Sequence, residues 1–233
     1  MNSLICFIIL LVSLGILTFS SLNHLMTLRI IFKTITSLLF LLQAHISRKE
    51  CSNQKSSTYY KLMFAGLFFS MIGDVVLVVN NDRKGLLLII GIASFVCAHI
   101  SYIIGFFQYE KLSLLNIVWL AILFAPICWI ISHDTWFEFG NMKLIIIGYG
   151  LLICFMVAKS LSLWKYRKEN AYFVYLTIAA SSLFLISDSI LLFHIFGKTG
   201  LTNLQVINNL IYYVGQGLFG LSFKKELLIK REN

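Results

Sequence analysis

The sequence predicts an all-α protein, a polytopic transmembrane bundle of about eight helices. Three observations predict it. Apolar runs of membrane length recur along the 233 residues, and 59% of the chain is hydrophobic. Charged residues make up only 12%, where a soluble domain carries about 25%. The basic and polar residues gather between the runs. A crossing needs about 20 apolar residues, so eight of them with short loops use up the chain. Residues 1–233 therefore read as one integral membrane domain with no separate soluble unit.

The elements follow in order. Helix 1 covers about residues 4–20. No lysine or arginine precedes its apolar core, so it reads as a retained helix rather than a cleaved leader. Asn23, His24 and Arg29 make the first loop. Helix 2 spans about 30–46, with Lys33 in its first turn. A polar stretch, RKECSNQKSSTYYK, leads to helix 3 at 62–79, which ends at a turn over residues 80–85. Helix 4 is 86–107. Helix 5, 112–132, holds the single proline, Pro126, where a kink is expected. An acidic, aromatic loop follows at 133–141, then helix 6 at 142–161. The basic loop WKYRKEN leads to helix 7 at 171–196. Helix 8 is 204–223, and the basic tail closes the chain.

Loop charge sets the expected orientation. With helix 1 retained, one side of the membrane receives thirteen of the Lys and Arg residues and the other six. The positive-inside rule then places both termini in the cytoplasm. The same distribution explains the net charge of +9: basic loops set topology and meet anionic headgroups. No basic stripe alternates with aromatics as single-strand binders require, so no nucleic-acid partner is expected. The five cysteines contain no C-x-x-C pair. They form neither a disulfide framework nor a zinc site and read as small core residues.

Two acidic residues break the apolar pattern. Asp74 lies within FAGLFFSMIGDVVLVV, and Asp188 within SLFLISDSILLF. A carboxylate at the centre of a membrane helix costs roughly 2.5–3.5 kcal/mol even on lenient scales, and such residues mark functional sites by default. By the expected orientation both lie in the non-cytoplasmic half. Aligning them also aligns Ile72 with Ile186 and Leu77 with Leu191. The echo would suit two four-helix halves, but it is short and apolar, and a chance match between apolar runs explains it more readily.

Other polar groups fall on interior faces. Gly66, Ser70 and Asp74 share one face of helix 3 at four-residue spacing. Gly91, Phe95 and His99 do the same on helix 4, with Tyr102 a turn further. On helix 8, Asn209, Tyr212 or Tyr213, and Gln216 form a stripe. Each has a plainer reading. His99 suits an interhelix hydrogen bond, the helix 8 stripe suits packing, and Lys33 suits snorkelling to the interface. No G-x-S-x-G elbow, H-E-x-x-H or phosphate-binding glycine loop occurs. Two aspartates and one histidine on three helices make a poor ligand set, so no metal is expected.

The segments FKTITSLLFLLQAH, GLFFSMIGDVVLV, GIASFVCAHISYIIGFF, LFLISDSILLF and YYVGQGLF, in this order, resemble the lysoplasmalogenase family of membrane proteins (YhhN-like), and its animal branch in particular. The likeness covers residues 30–219. One departure is visible: the proline that tends to follow the basic residue of helix 2 is replaced here, after Lys33, by Thr34, Ile35 and Thr36.

The resemblance implies hydrolysis of the vinyl ether bond of lysoplasmalogens to a fatty aldehyde and glycerophosphoethanolamine or glycerophosphocholine. It also implies that Asp74 and Asp188 are the catalytic pair and that the protein resides in the endoplasmic reticulum membrane. The chemistry suits two carboxyls. A vinyl ether must be protonated on carbon, after which water adds to the oxocarbenium ion. One group must donate a proton, and another must stabilise the cation and deprotonate water. Two carboxyls sharing a low-dielectric site divide into those roles, as in glycosidases. His99, Tyr212 and Gln216 are expected to orient the pair or the water, and Lys33 to meet the lipid phosphate. No metal or organic cofactor is expected. The partners are the lysophospholipid and the surrounding bilayer. The competing readings are a small proton-coupled transporter and a non-catalytic lipid-binding protein.

Overall fold

The computed structural model describes residues 2–51, 58–80, 85–133, 135–198 and 200–226. Residues 81–84 of the turn after helix 3, 52–57 of the polar loop and the tail beyond 226 lie outside the described residues, as do Asp134 and Thr199. Eight α-helices follow one another: α1 (Ser3–Leu22), α2 (Met26–Glu50), α3 (Thr58–Val79), α4 (Gly85–Phe107), α5 (Leu114–Ser132), α6 (Lys143–Leu161), α7 (Ala171–Phe196) and α8 (Leu204–Ser222). There is no strand among the described residues; one antiparallel bridge joins Phe137 to Gly197. Local signals set several helix starts. The Asn2 side chain accepts from the Leu4 amide, and that of Asn170 accepts from the Phe173 amide. Ser113 and Asn116 form a capping box on α5.

Seven helices, α1 to α7, are long and apolar enough to cross a membrane, so the chain is a multi-pass membrane protein. The eighth, 19 residues long, is more polar because it carries Asn208, Asn209 and Gln216. All three are buried. Polar groups that lipid would reject are tolerated there because protein surrounds them.

The packing order is a ring. Neighbours along the chain pair as α1/α2, α3/α4, α5/α6 and α7/α8, while α2 also packs on α3 and α8, α4 on α6, and α6 on α7. Six helices (α2, α3, α4, α6, α7 and α8) thus close on themselves. The other two stand outside, α1 against α2 and α8, α5 against α6. The starts of the odd-numbered helices and the ends of the even-numbered ones gather at one face. Ser3, Glu50 and Lys224 meet at the end where α1 starts and α8 stops: the Ser3 amide donates to Glu50 at 2.8 Å, and Lys224 lies 3.2 Å from Glu50. Tyr59, Tyr109, Phe173 and Phe223 close that end in tilted and edge-to-face contacts. At the opposite end Phe137, Phe139 and Phe196 form a second aromatic cluster. α3 and α4 approach closely because of glycine: a Cβ on Gly66 would stand 2.3 Å from the Tyr102 ring, and one on Gly91 2.4 Å from Leu77. Small residues serve this role in membrane interfaces.

Two details differ from the expectation. Helix α2 begins at Met26, so Arg29 is helical and Lys33 lies about two turns in. It extends past its apolar run at both ends because its polar residues find tertiary partners. Arg29 donates to Gln205 at 3.2 Å, and Arg48 pairs with Glu226 at 2.6 Å. Cys6, Cys51 and Cys154 are buried as expected, but Cys97 and Cys128 are exposed, on outward faces of α4 and α5.

Candidate active site

Asp74 sits inside the ring, 2% exposed. Ser37 Oγ on α2 donates to its Oδ2 at 2.8 Å, and Tyr212 Oη on α8 donates to the same oxygen at 2.9 Å. The Lys33 ammonium stands 3.7 Å from Oδ1. Ser37 also lies 3.0 Å from Tyr213 Oη, which donates to the Lys33 carbonyl at 3.2 Å. Two hydroxyl donors and one cation match the acceptor capacity of an ionised carboxylate. Lys33 and Ser37 reach Asp74 together because a spacing of four puts them on one helix face.

Asp188, on α7, has a different set. Its side chain is 7% exposed. Tyr149 Oη on α6 makes a short hydrogen bond to Oδ2. His99 Nε2 on α4 lies 2.9 Å from Tyr149 Oη and 3.6 Å from the same carboxylate oxygen. The imidazole is fully buried, edge-on to Phe184 at 4.8 Å between centroids, with Nδ1 3.4 Å from Met156 Sδ. The chain His99–Tyr149–Asp188 can be written with its protons running in either direction, since imidazole, phenol and carboxyl each donate or accept. Reversible polarity is what a group that moves protons requires.

The two sets are built alike. Asp74 on α3 draws partners from α2 and α8; Asp188 on α7 draws them from α6 and α4. Exchanging α1–α4 with α5–α8 converts one arrangement into the other, and it carries the ring onto itself. This is the arrangement of two four-helix halves.

Both carboxylates line one cavity. A cleft is bounded by Lys33, Asp74, Asp188, Asn208 and Tyr212, and reaches Asn80 and His194 at the end away from Ser3 and Lys224. Beside it lies an apolar chamber between α4, α5, α6 and α7, walled by Ile92, Ile127, Ile131, Ile146 and Leu192. Asp188, Leu77, Phe95, Leu191 and Ile195 line both. Asp188 therefore stands on the divide between a polar compartment and a hydrocarbon-like one. An amphiphile laid across the divide presents its junction atoms to the carboxyls.

Of the residues singled out in the sequence, Lys33, Asp74 and Tyr212 meet at one centre and His99 and Asp188 at the other. Gln216 is elsewhere. Its Oε1 accepts from Tyr102 at 3.3 Å, Tyr102 in turn lies 3.4 Å from Ser70, and Gln216 Nε2 is buried without a partner. It lies one turn further along α8 than Tyr212, towards the termini, and its hydrogen bond goes to neither aspartate. Two residues that hold the carboxylates were missed. Ser37 was legible as the residue one turn after Lys33. Tyr149 stands in GYG, and its signal was a lone phenol between two glycines in the middle of an apolar run.

No curated protein and no solved structure matches the chain. The YhhN family model matches residues 28–223, which takes in both aspartates and every helix from α3 to α8. On that match the chain belongs to the YhhN family, the family of the lysoplasmalogenases.

Proposed function

We propose that the protein is a lysoplasmalogenase: it hydrolyses the vinyl ether bond of lysoplasmalogens, yielding a fatty aldehyde and glycerophosphoethanolamine or glycerophosphocholine. One observation carries the reading: two differently partnered carboxylates share a cavity at the junction of a polar cleft and an apolar chamber. Family membership agrees with it. The alkenyl chain occupies the apolar chamber, the glycerol occupies the cleft, and the vinyl ether lies between them beside Asp188.

The steps follow from the partners. Asp188, at the end of the His99–Tyr149 chain, is the proton donor. It protonates the second alkenyl carbon, and the charge appears as an oxocarbenium ion at the first. Asp74 is the carboxylate that stabilises this cation and takes a proton from the water that adds to the first carbon. The hemiacetal then collapses. The bond from that carbon to the glycerol oxygen breaks, the oxygen takes a proton, and the aldehyde leaves. General acid–base help of this kind contributes typically 10²–10⁴-fold, and fixed charge at the developing cation adds to it. Helices α3 and α7 run unbroken past their aspartates. A transporter with half-helices meeting at the midplane has another architecture, which favours the enzyme. We place the protein in the endoplasmic reticulum membrane, where a tagged copy should distribute with a resident marker.

The decisive assay incubates purified protein in detergent micelles with 1-alkenyl-glycerophosphoethanolamine. Release of free aldehyde is expected, and in D₂O the aldehyde formed should carry one solvent deuterium on its second carbon when trapped as it forms. No aldehyde, with binding intact, returns the protein to the lipid-binding class. Tyr149→Phe removes one hydroxyl from the proton chain. It should lower kcat by about 10²-fold with KM little changed, read in the same assay.

A further inference from the structure

The cleft continues outward into a vestibule that the chemistry above does not use. It opens at the end of the bundle away from Ser3 and Lys224, walled by Ser21, His24, Arg29, His194, Asn203 and Gln205 among others. His194 and Gln205 also line the catalytic cleft, so the two spaces share a wall. No carboxylate lines the vestibule among the described residues.

Charge there is unbalanced. Arg29 and Lys33 lie four residues apart on α2, an arrangement in which like charges repel. Lys33 is committed inward, 8% exposed and 3.7 Å from Asp74. Arg29 has no carboxylate partner among the described residues. Its Nη1 donates to the neutral Gln205 at 3.2 Å, its Nη2 faces the Met26 thioether, and its Nε is buried without a partner. A guanidinium is a rigid fork suited to two oxygens of a phosphate. Here one arm of the fork is held by a neutral amide oxygen, another faces a weak thioether acceptor, and Nε has no partner.

We propose that Arg29 binds a phosphodiester in this vestibule, and that the ligand is the headgroup phosphate of the lysophospholipid. The assignment moves that role from Lys33, which serves Asp74, to the residue one turn nearer the mouth. A helical turn is about 5.4 Å, so a glycerol backbone can reach from the carboxylates to the guanidinium. The identity of the lipid rests on the hydrolase reading; the phosphodiester site does not.

The test uses the full chain in nanodiscs, with Arg29→Gln and Arg29→Lys. Aldehyde release is measured from 1-alkenyl-glycerophosphoethanolamine and from 1-alkenylglycerol, which lacks the phosphate. Arg29→Gln is expected to reduce the preference for the phospholipid in kcat/KM by about 10- to 100-fold, with Arg29→Lys in between. An equal fall on both substrates, or an unchanged preference, overturns the assignment. Thermal midpoints are read in parallel with glycerophosphoethanolamine and with inorganic phosphate. Stabilisation of the wild type by glycerophosphoethanolamine, absent in Arg29→Gln, supports the site even if neither substrate releases aldehyde, in which case the hydrolase reading alone has failed. Equal stabilisation by both probes, or none that depends on Arg29, rejects a headgroup site.

Discussion

Aldehyde release should fall by at least about 10³-fold in kcat when either Asp74 or Asp188 is replaced by asparagine. Asparagine keeps the shape and an acceptor oxygen, so Tyr212 and Ser37 at position 74, and Tyr149 at position 188, retain a partner. What is lost is the proton in one case and the charge in the other. In the proposed mechanism the two groups serve one reaction coordinate, so their effects should not add. The double variant is expected to be no slower than the slower single variant within about tenfold, as for residues that act as a unit. The readout is single-turnover aldehyde release, with far-UV circular dichroism and a monodisperse elution profile to show that the bundle is intact. Full activity in either single variant removes that carboxyl from the mechanism. Multiplicative losses would mean that the two act in separate steps.

Lys33→Met should lower the thermal midpoint in detergent by roughly 6–20 °C. Lys33 and Asp74 form a buried ion pair, 8% and 2% exposed. Removing one member of such a pair leaves the other charge uncompensated and costs about 3–5 kcal/mol, and for a chain of this size each kcal/mol moves the midpoint by about 2–4 °C. Asp74→Asn strands the lysine instead and should be destabilised too, while staying folded. The informative variant is the double one. Lys33→Met with Asp74→Asn removes both charges and should recover most of the lost midpoint, yet no activity. Such a cycle isolates the pairwise contribution. If Lys33→Met melts with the wild type, the pair contributes nothing to stability and the lysine has another use.

The helices were legible because a membrane crossing leaves a long, unambiguous run of apolar residues. The two aspartates were legible for the same reason: nothing else in α3 or α7 resembles them. The ends of α2 were not. Residues 26–29 and 47–50 look like loop by composition and become helical only because Gln205 and Glu226, both distant in sequence, give their arginines partners. The supporting residues divide along similar lines. Lys33, His99 and Tyr212 could be placed on interior faces from spacing alone. Tyr149 could not, since one phenol in an apolar helix gives no periodicity. Gln216 shares the face of Tyr212, but a face fixes direction around a helix and not depth along it. One turn was enough to take it from the carboxylate to Tyr102.

The interlocking of the two halves bears on how the chain is made. Synthesis runs from the N-terminus, and an unpaired acid entering hydrocarbon is costly. Lys33 and Ser37 are translated before Asp74, and His99 and Tyr149 before Asp188. Each carboxylate thus reaches the bilayer after a polar companion already threaded there, and only Tyr212 arrives late. The order of residues along the gene product supplies an insertion schedule in which neither acid is left alone in lipid.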